Sequence, residues 1–322
     1  MSNVSSLAPV VLFVYNRIDC LKSTIRALAN NELACQSDLF IFSDGPKSDS
    51  DALKVNQVRE YIRNIEGFAS LSLVLREQNL GLANSIISGV TQIIDQYGKI
   101  IILEDDLVTS RFFLNYMNDG LDIYENDSRV ATIQGCRMPW DNTCLPETYF
   151  LPSEGCLGWG TWKRAWKDFE PDARYLYEKI KHGKHKKEFD FDLSYPFTRL
   201  LKHQVDGKVD SWAIRWYASN FLLKRVGLYP RENFVQHIGY ENESTHCSRV
   251  NDIEKFVAPL TESYEKIRKI PINIHDGAFH AIKNYYKRAY PQRHPMLEVF
   301  VHCVKIIIPQ ALLLKIRSHY KY

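Results

Sequence analysis

The chain has 322 residues, enough to bury about three quarters of its unfolded surface as one large domain or two smaller ones. Its 41 bases and 38 acids nearly balance at a formal +3, which gives no case for a nucleic-acid binder. Seven cysteines, odd in number and never paired as C-x-x-C, argue against a disulfide framework or a zinc site and for a reducing compartment.

Residues 1–9 are polar and lack the charged, apolar and cleavable pattern of a signal peptide, so neither a signal peptide nor a membrane anchor is expected and the chain reads as cytoplasmic. From there to Gly135 apolar runs alternate with helical patterns. Strands are expected at 10–15, 38–43, 71–75, 100–103 and 130–134, and helices at 18–29, 52–65 and 82–97. Such alternation implies an α/β fold, a mainly parallel sheet with helices on both faces.

The strand at 100–103 ends in three consecutive carboxylates, Glu104, Asp105 and Asp106. In open α/β sheets the carboxyl edge is where ligands bind. Crowded carboxylates repel one another unless a cation sits among them, and hard oxygen ligands suit Mg²⁺ or Mn²⁺. The competing reading is an ordinary helix start, with Thr109 and Ser110 capping a helix that runs to about Tyr124. Other strands deliver polar groups to the same edge: Tyr15, Asn16 and Arg17 after the first, Asp44 after the second, Arg76 and Asn79 after the third. There is no G-x-x-x-x-G-K-[ST] loop and no G-x-G-x-x-G after the first strand.

Residues 135–152 read as loop, with Pro139, Pro146 and Pro152. A glycine-studded aromatic stretch follows, with Gly158, Trp159, Trp162 and Trp166; its rings suit either a sugar or a core. The basic run at 179–187 is most simply a solvated face. The segment 296–314 is mostly apolar but holds Glu298, His302, Lys305 and Pro309, so it is a poor bilayer span. It suits an interfacial helix on an anionic membrane, or a helix docked on the domain or on a second subunit of a homodimer.

Five pieces stand in order: Arg17, Asp44, Glu104-Asp105-Asp106 followed by Phe112-Phe113, Gly158-Trp159, and Asp210-Ser211-Trp212. In this the chain resembles the GT-A glycosyltransferases, and most closely the inverting N-acetylglucosaminyltransferase I type, over residues 9–250. The resemblance implies a GT-A, Rossmann-like domain over 1–250, with a nucleotide-binding half at 9–135 and an acceptor half at 136–250, and a C-terminal helical extension at 251–322. It implies transfer of a sugar from a UDP-sugar donor to a saccharide or lipid-linked saccharide acceptor, with Mn²⁺ or Mg²⁺ and with inversion. Asp106 would ligate the metal, while Glu104 and Asp105 would touch ribose or donor sugar. Arg17 and Asp44 would hold the base, Arg76, Asn79 and Trp159 would line the donor site, and Asp210 would deprotonate the acceptor.

Two departures stand out. Asn84 or a neighbour occupies the place of a family histidine. The loop carrying His237 and His246 differs from the family loop, and either histidine could reach metal or pyrophosphate. With no leader expected, the chain resembles bacterial enzymes of surface-polysaccharide or lipopolysaccharide synthesis, which implies a peripheral place on the inner face of the plasma membrane. Rival readings are a sugar-1-phosphate nucleotidyltransferase, whose glycine-rich loop is missing from residues 11–20, and a non-catalytic saccharide-binding protein on a degenerate fold.

Overall fold

The computed structural model describes residues 7–137, 144–153, 155–239 and 258–290. His246 and the apolar stretch 296–314 lie outside the described residues. The first half runs β1 (Val10–Val14), α1 (Ile18–Ala29), β2 (Asp38–Ser43), α2 (Asp49–Ile62), β3 (Ser70–Leu75), α3 (Gly81–Tyr97) and β4 (Lys99–Glu104). A two-residue turn leads to β5 (Leu107–Thr109), α4 (Phe113–Ile123) and β6 (Val130–Gln134). The second half adds β7 (Thr148–Pro152), β8 (Trp159–Trp162), α5 (Lys163–Trp166), α6 (Ala173–Ile180), α7 (Gly183–Phe189), α8 (Phe197–Val205) and α9 (Trp212–Leu222). After it come β9 (Val226–Pro230), β10 (Val235–His237) and α10 (Asp276–Ala289).

Eight strands form one sheet in the order β3-β2-β1-β4-β8-β6-β9-β7. β3, β2, β1, β4, β6 and β9 run one way, and only β8 and β7 oppose them. The chain moves outward from β1 to β2 and β3, then returns to lay β4 on the other side of β1. That reversal is a topological switch point, the place beyond the carboxyl ends of β1 and β4 where open α/β sheets bind ligands. The expected α/β sheet with helices on both faces is what the chain forms.

Side-chain alternation along the inner strands fills both faces. Val10, Leu12, Val14, Ile101 and Leu103 pack with α1, α2 and α4 through Leu21, Ile25, Val58 and Leu114. Val11, Phe13, Ile100 and Ile102 point the other way, onto Ile86, Val90 and Ile93 of α3 and Trp212 and Trp216 of α9. Such doubly buried strands read as continuous apolar runs, which is why their bounds were legible.

Five strands were not expected: β5, β7, β8, β9 and β10. β7 falls within the stretch read as loop, because its faces are both buried: Tyr149 and Leu151 enter one core cluster and Phe150 another. No polar alternation marks it. β8 is four residues, Trp-Gly-Thr-Trp, too short for a period to show. The helix after the acidic triplet begins at Phe113, and β5 stands between it and the carboxylates. The triplet is therefore not the opening turn of a helix. β5 pairs antiparallel with β10 in a second, two-stranded sheet, Leu107 opposite His237.

Residues 258–275 lie against the first half: Ser110 Oγ donates to the Thr261 carbonyl at 2.8 Å, and Tyr124 Oη accepts from Ile270 N at 3.0 Å. α10 then buries Ala278, Ile282, Tyr285 and Tyr286 beside Tyr149 and Phe191. Among the described residues no helix is long and apolar enough to cross a membrane. Cys20 and Cys35 are free thiols.

α3 lies unusually close to the sheet at Gly89, where an added Cβ would fall 2.6 Å from Phe13 Cε1. That ring stacks on Phe42 at 5.4 Å and is buried. Gly89→Ala gains about 1 kcal/mol of helix propensity but overpacks the core, at about 1–3 kcal/mol. Urea denaturation is expected to show net destabilisation; a variant more stable than wild type would contradict this packing.

Candidate functional site

The turn joining β4 to β5 carries Asp105 and Asp106, directly beyond the switch point. Both are deeply buried, at 3% and 5% relative exposure. Arg17, the residue preceding α1 at the end of β1, forks between them. Its Nη2 donates to Asp105 Oδ1 and its Nη1 to Asp106 Oδ2 at 2.6 Å. Asp105 also accepts from Tyr15 N at 3.2 Å, and Thr24 Oγ1 holds the Asp105 carbonyl at 2.9 Å. On the far side His237 Nε2 lies 3.1 Å from the same Asp106 Oδ2, and Ile238 N donates to the Asp106 carbonyl at 2.9 Å. Three stretches distant in sequence thus meet at one carboxylate.

The charges follow from this geometry. Burial, then repulsion from Asp106 and Asp105, pushes the Glu104 carboxyl up to about 8, opposed by Arg17. Burial likewise raises Asp105 to about 6 against the pull of Arg17. Burial pushes Asp106 the same way, but hydrogen bonds and charge from His237 and Arg17 outweigh it and hold the carboxyl below its ordinary value. Arg17 itself is held more firmly protonated, since Asp105 and Asp106 outweigh its burial. At neutral pH the corner therefore holds two carboxylates around one guanidinium, with Glu104 mostly protonated. Among the described residues the Glu104 carboxyl has no hydrogen-bond or ion-pair partner.

The other expected ligand residues are placed differently. Asp44 accepts from Leu80 N at 2.9 Å and Gly81 N at 3.0 Å, so its carboxylate anchors the start of α3. Asn79 Nδ2 donates to the Gly45 carbonyl at 2.8 Å. Arg76 donates to Ser85 Oγ at 2.6 Å and Ser88 Oγ at 2.8 Å and lies over the Phe42 ring. These three brace the rim where β2, β3 and α3 meet. Arg17 grips the carboxylates and not an open base pocket, because two buried acids need its charge. Trp159 is 1% exposed and stacks on Trp212 at 5.1 Å, within a cluster that includes Trp166 and Trp216. It is core, with no ring face open to a sugar.

The Trp159–Trp212 stack nevertheless has a structural consequence. Trp159 pairs with Ile102 near the carboxyl end of β4, so the stack holds the start of α9 to that end of the sheet. Ser211 caps α9 by accepting from Ile214 N, and Asp210 precedes it with a side chain 59% exposed. Arg215 Nη2, 3.2 Å away, is its ion-pair partner.

One contributor was missed from sequence. A Cβ on Gly239 would collide with Asp106 Oδ2 and lie 3.0 Å from Arg17 Nη1. The backbone after β10 therefore closes on the carboxylate only because residue 239 lacks a side chain. A glycine two positions after a strand-borne histidine was the available signal.

Asp106 and His237 offer one carboxylate and one imidazole. Among the described residues no group of three or more His, Cys, Asp or Glu is placed to hold an ion alone. Mg²⁺ and Mn²⁺ are usually bound through one or two side chains, with substrate phosphates and water completing the octahedron. The donor set fits a divalent ion of that kind.

No protein-family model and no curated protein matches the chain. Among solved structures it is similar to a mannosyltransferase, PcManGT from Pyrobaculum calidifontis in complex with GDP-Man and Mn²⁺, at 12% identity and a TM-score of 0.34, covering 69% of this chain and 73% of that one. It is also similar to S. aureus TarS 1–349, at 9% identity and 0.39, covering 70% and 59%. A longer S. aureus TarS structure gives 11% and 0.34, covering 59% and 33%. Likeness at this level is distant.

The raised Glu104 value sets a pH signature. A carboxyl whose pKa is higher folded than unfolded contributes stability that is complete below its ordinary 4.5 and lost as pH rises through about 8. With a chelator present, Glu104→Gln is expected to melt like wild type at pH 4.5 and at least about 4 °C higher at pH 9. A melting difference independent of pH would show that Glu104 titrates normally.

Proposed function

We propose that this protein is a metal-dependent glycosyltransferase of GT-A type, moving a sugar from a nucleotide-diphosphate donor to a saccharide or lipid-linked saccharide acceptor. The observation that carries this reading is the acidic turn at the switch point, roofed by His237 and Gly239 from a strand 130 positions away. A buried carboxylate pair at the switch point, compensated by one guanidinium, suits a nucleotide diphosphate that arrives with a divalent ion. An ordinary structural ion pair would not require a second sheet to bring a histidine onto it.

The bound ion would act as a Lewis acid on the departing diphosphate, held by Asp106 and His237. The chain's own residues do the rest. Asp105 and Tyr15 N keep the turn fixed, Asp44 pins α3, and Glu104 faces the donor's ribose or sugar with an uncommitted carboxyl. Asp210, with an exposed carboxylate just before α9, takes the proton of the attacking acceptor hydroxyl, a role worth about 10²–10⁴-fold. A base on the acceptor side gives inversion. The donor base is expected to be uracil and the metal Mn²⁺ or Mg²⁺. The apolar and basic C-terminal stretch suits contact with a lipid-linked acceptor at an anionic membrane surface.

Screening UDP-sugars for metal-dependent thermal stabilisation identifies the donor, since a ligand of the native state stabilises by mass action. With that donor, Asp210→Asn is expected to lower kcat by about 10²–10⁴-fold while nucleotide affinity stays within about twofold. A folded variant that loses nucleotide binding to the same extent contradicts the base assignment. Asp106→Ala and EDTA are each expected to abolish transfer, and full activity in chelator refutes the metal role.

A further inference from the structure

We propose that Arg17 is a resident counter-ion that blocks the cation position in the free protein and yields it only when metal and diphosphate arrive together. The inference rests on the glycosyltransferase reading and concerns how that site is filled. Asp106 Oδ2 is the oxygen that His237 also approaches, and so the one a shared ion would use. Arg17 Nη1 already holds it at 2.6 Å, and Gly239 closes the remaining side. A divalent ion and a guanidinium cannot both sit on that oxygen, since their charges repel and the space is taken. The free protein therefore has little to offer a bare cation: the negative charge of Asp105 and Asp106 is already met by a two-pronged, charge-assisted fork.

A diphosphate changes the balance. It presents the guanidinium with an anion of the same bidentate geometry, and Arg17 keeps 27% of its side chain exposed at the switch point, within reach of a ligand there. Arg17 transfers its fork from the carboxylates to phosphate, and the released Asp106 takes the ion that the same phosphates ligate. Metal and nucleotide then bind as one coupled event, and by linkage each strengthens the other equally. The arrangement also prevents the empty site from trapping cytosolic cations without donor.

Mn²⁺ binding to the full-length protein, followed by the paramagnetic resonance of the free ion, tests this with and without saturating UDP. Wild type is expected to bind Mn²⁺ at least about 10-fold more tightly with UDP than alone. Arg17→Gln should bind Mn²⁺ alone about 10-fold more tightly than wild type and lose most of the UDP effect. Arg17→Lys, a point charge that cannot fork, should fall between them and serves if the Gln variant does not fold. Wild-type affinity indifferent to UDP overturns the interlock, as does coupling unchanged in both variants, while the metal site itself then stands. Absence of Mn²⁺ binding in every protein, with UDP demonstrably bound, overturns the metal-dependent reading as well.

Discussion

The Arg17 fork between Asp105 and Asp106 is the constraint on which the rest of the site depends. Two carboxylates at the end of a buried strand cannot both remain charged in a low-dielectric corner without compensation. The fold supplies it from the neighbouring strand, because β1 and β4 lie side by side with their carboxyl ends together. Arg17 follows β1 and the acids follow β4, so the sheet topology itself delivers the pair. His237 comes from β10, which can reach Asp106 only because β5 follows the acids and pairs with it. Without Arg17 both buried carboxylates lose their guanidinium, and without β10 Asp106 loses its second partner.

Much of this was legible in the chain. β2, β6 and α1 have the bounds expected of them, and β1, β3, β4 and α3 differ by a residue or two at their ends. Buried parallel strands and amphipathic helices carry strong periodic signals. The second half was less legible because its elements are short, antiparallel or buried on both faces, as β7 and β8 show. Individual site residues divided along a physical line. The acids at the strand end were visible as a local cluster, whereas their partners depend on long-range pairing. Nothing local distinguishes Arg17 gripping acids from Arg17 gripping a base, or Asp44 capping α3 from Asp44 binding uracil. Trp159 looked like a sugar platform because glycines flank it, yet the same glycines let tryptophans crowd into a core.

The two halves of the chain are joined mechanically through that core. Trp159 ties β4 to α9, so the strand that ends in the acidic turn and the helix that follows Asp210 share one packed cluster. The same logic holds on the other face, where residues 258–275 strap α4 and the β5–β10 ribbon through Ser110, Tyr124 and Asn233. The acidic turn and the start of α9 are thereby held to one packed scaffold, as the proposed transfer between two bound molecules would require.

Anomalous diffraction from crystals grown with manganese and uridine diphosphate addresses the central claim most directly. The account predicts a manganese peak against Asp106 and His237, with Arg17 turned from the carboxylates onto phosphate. Nucleotide bound elsewhere, or bound at the switch point with no manganese and the Arg17 fork intact, would contradict it.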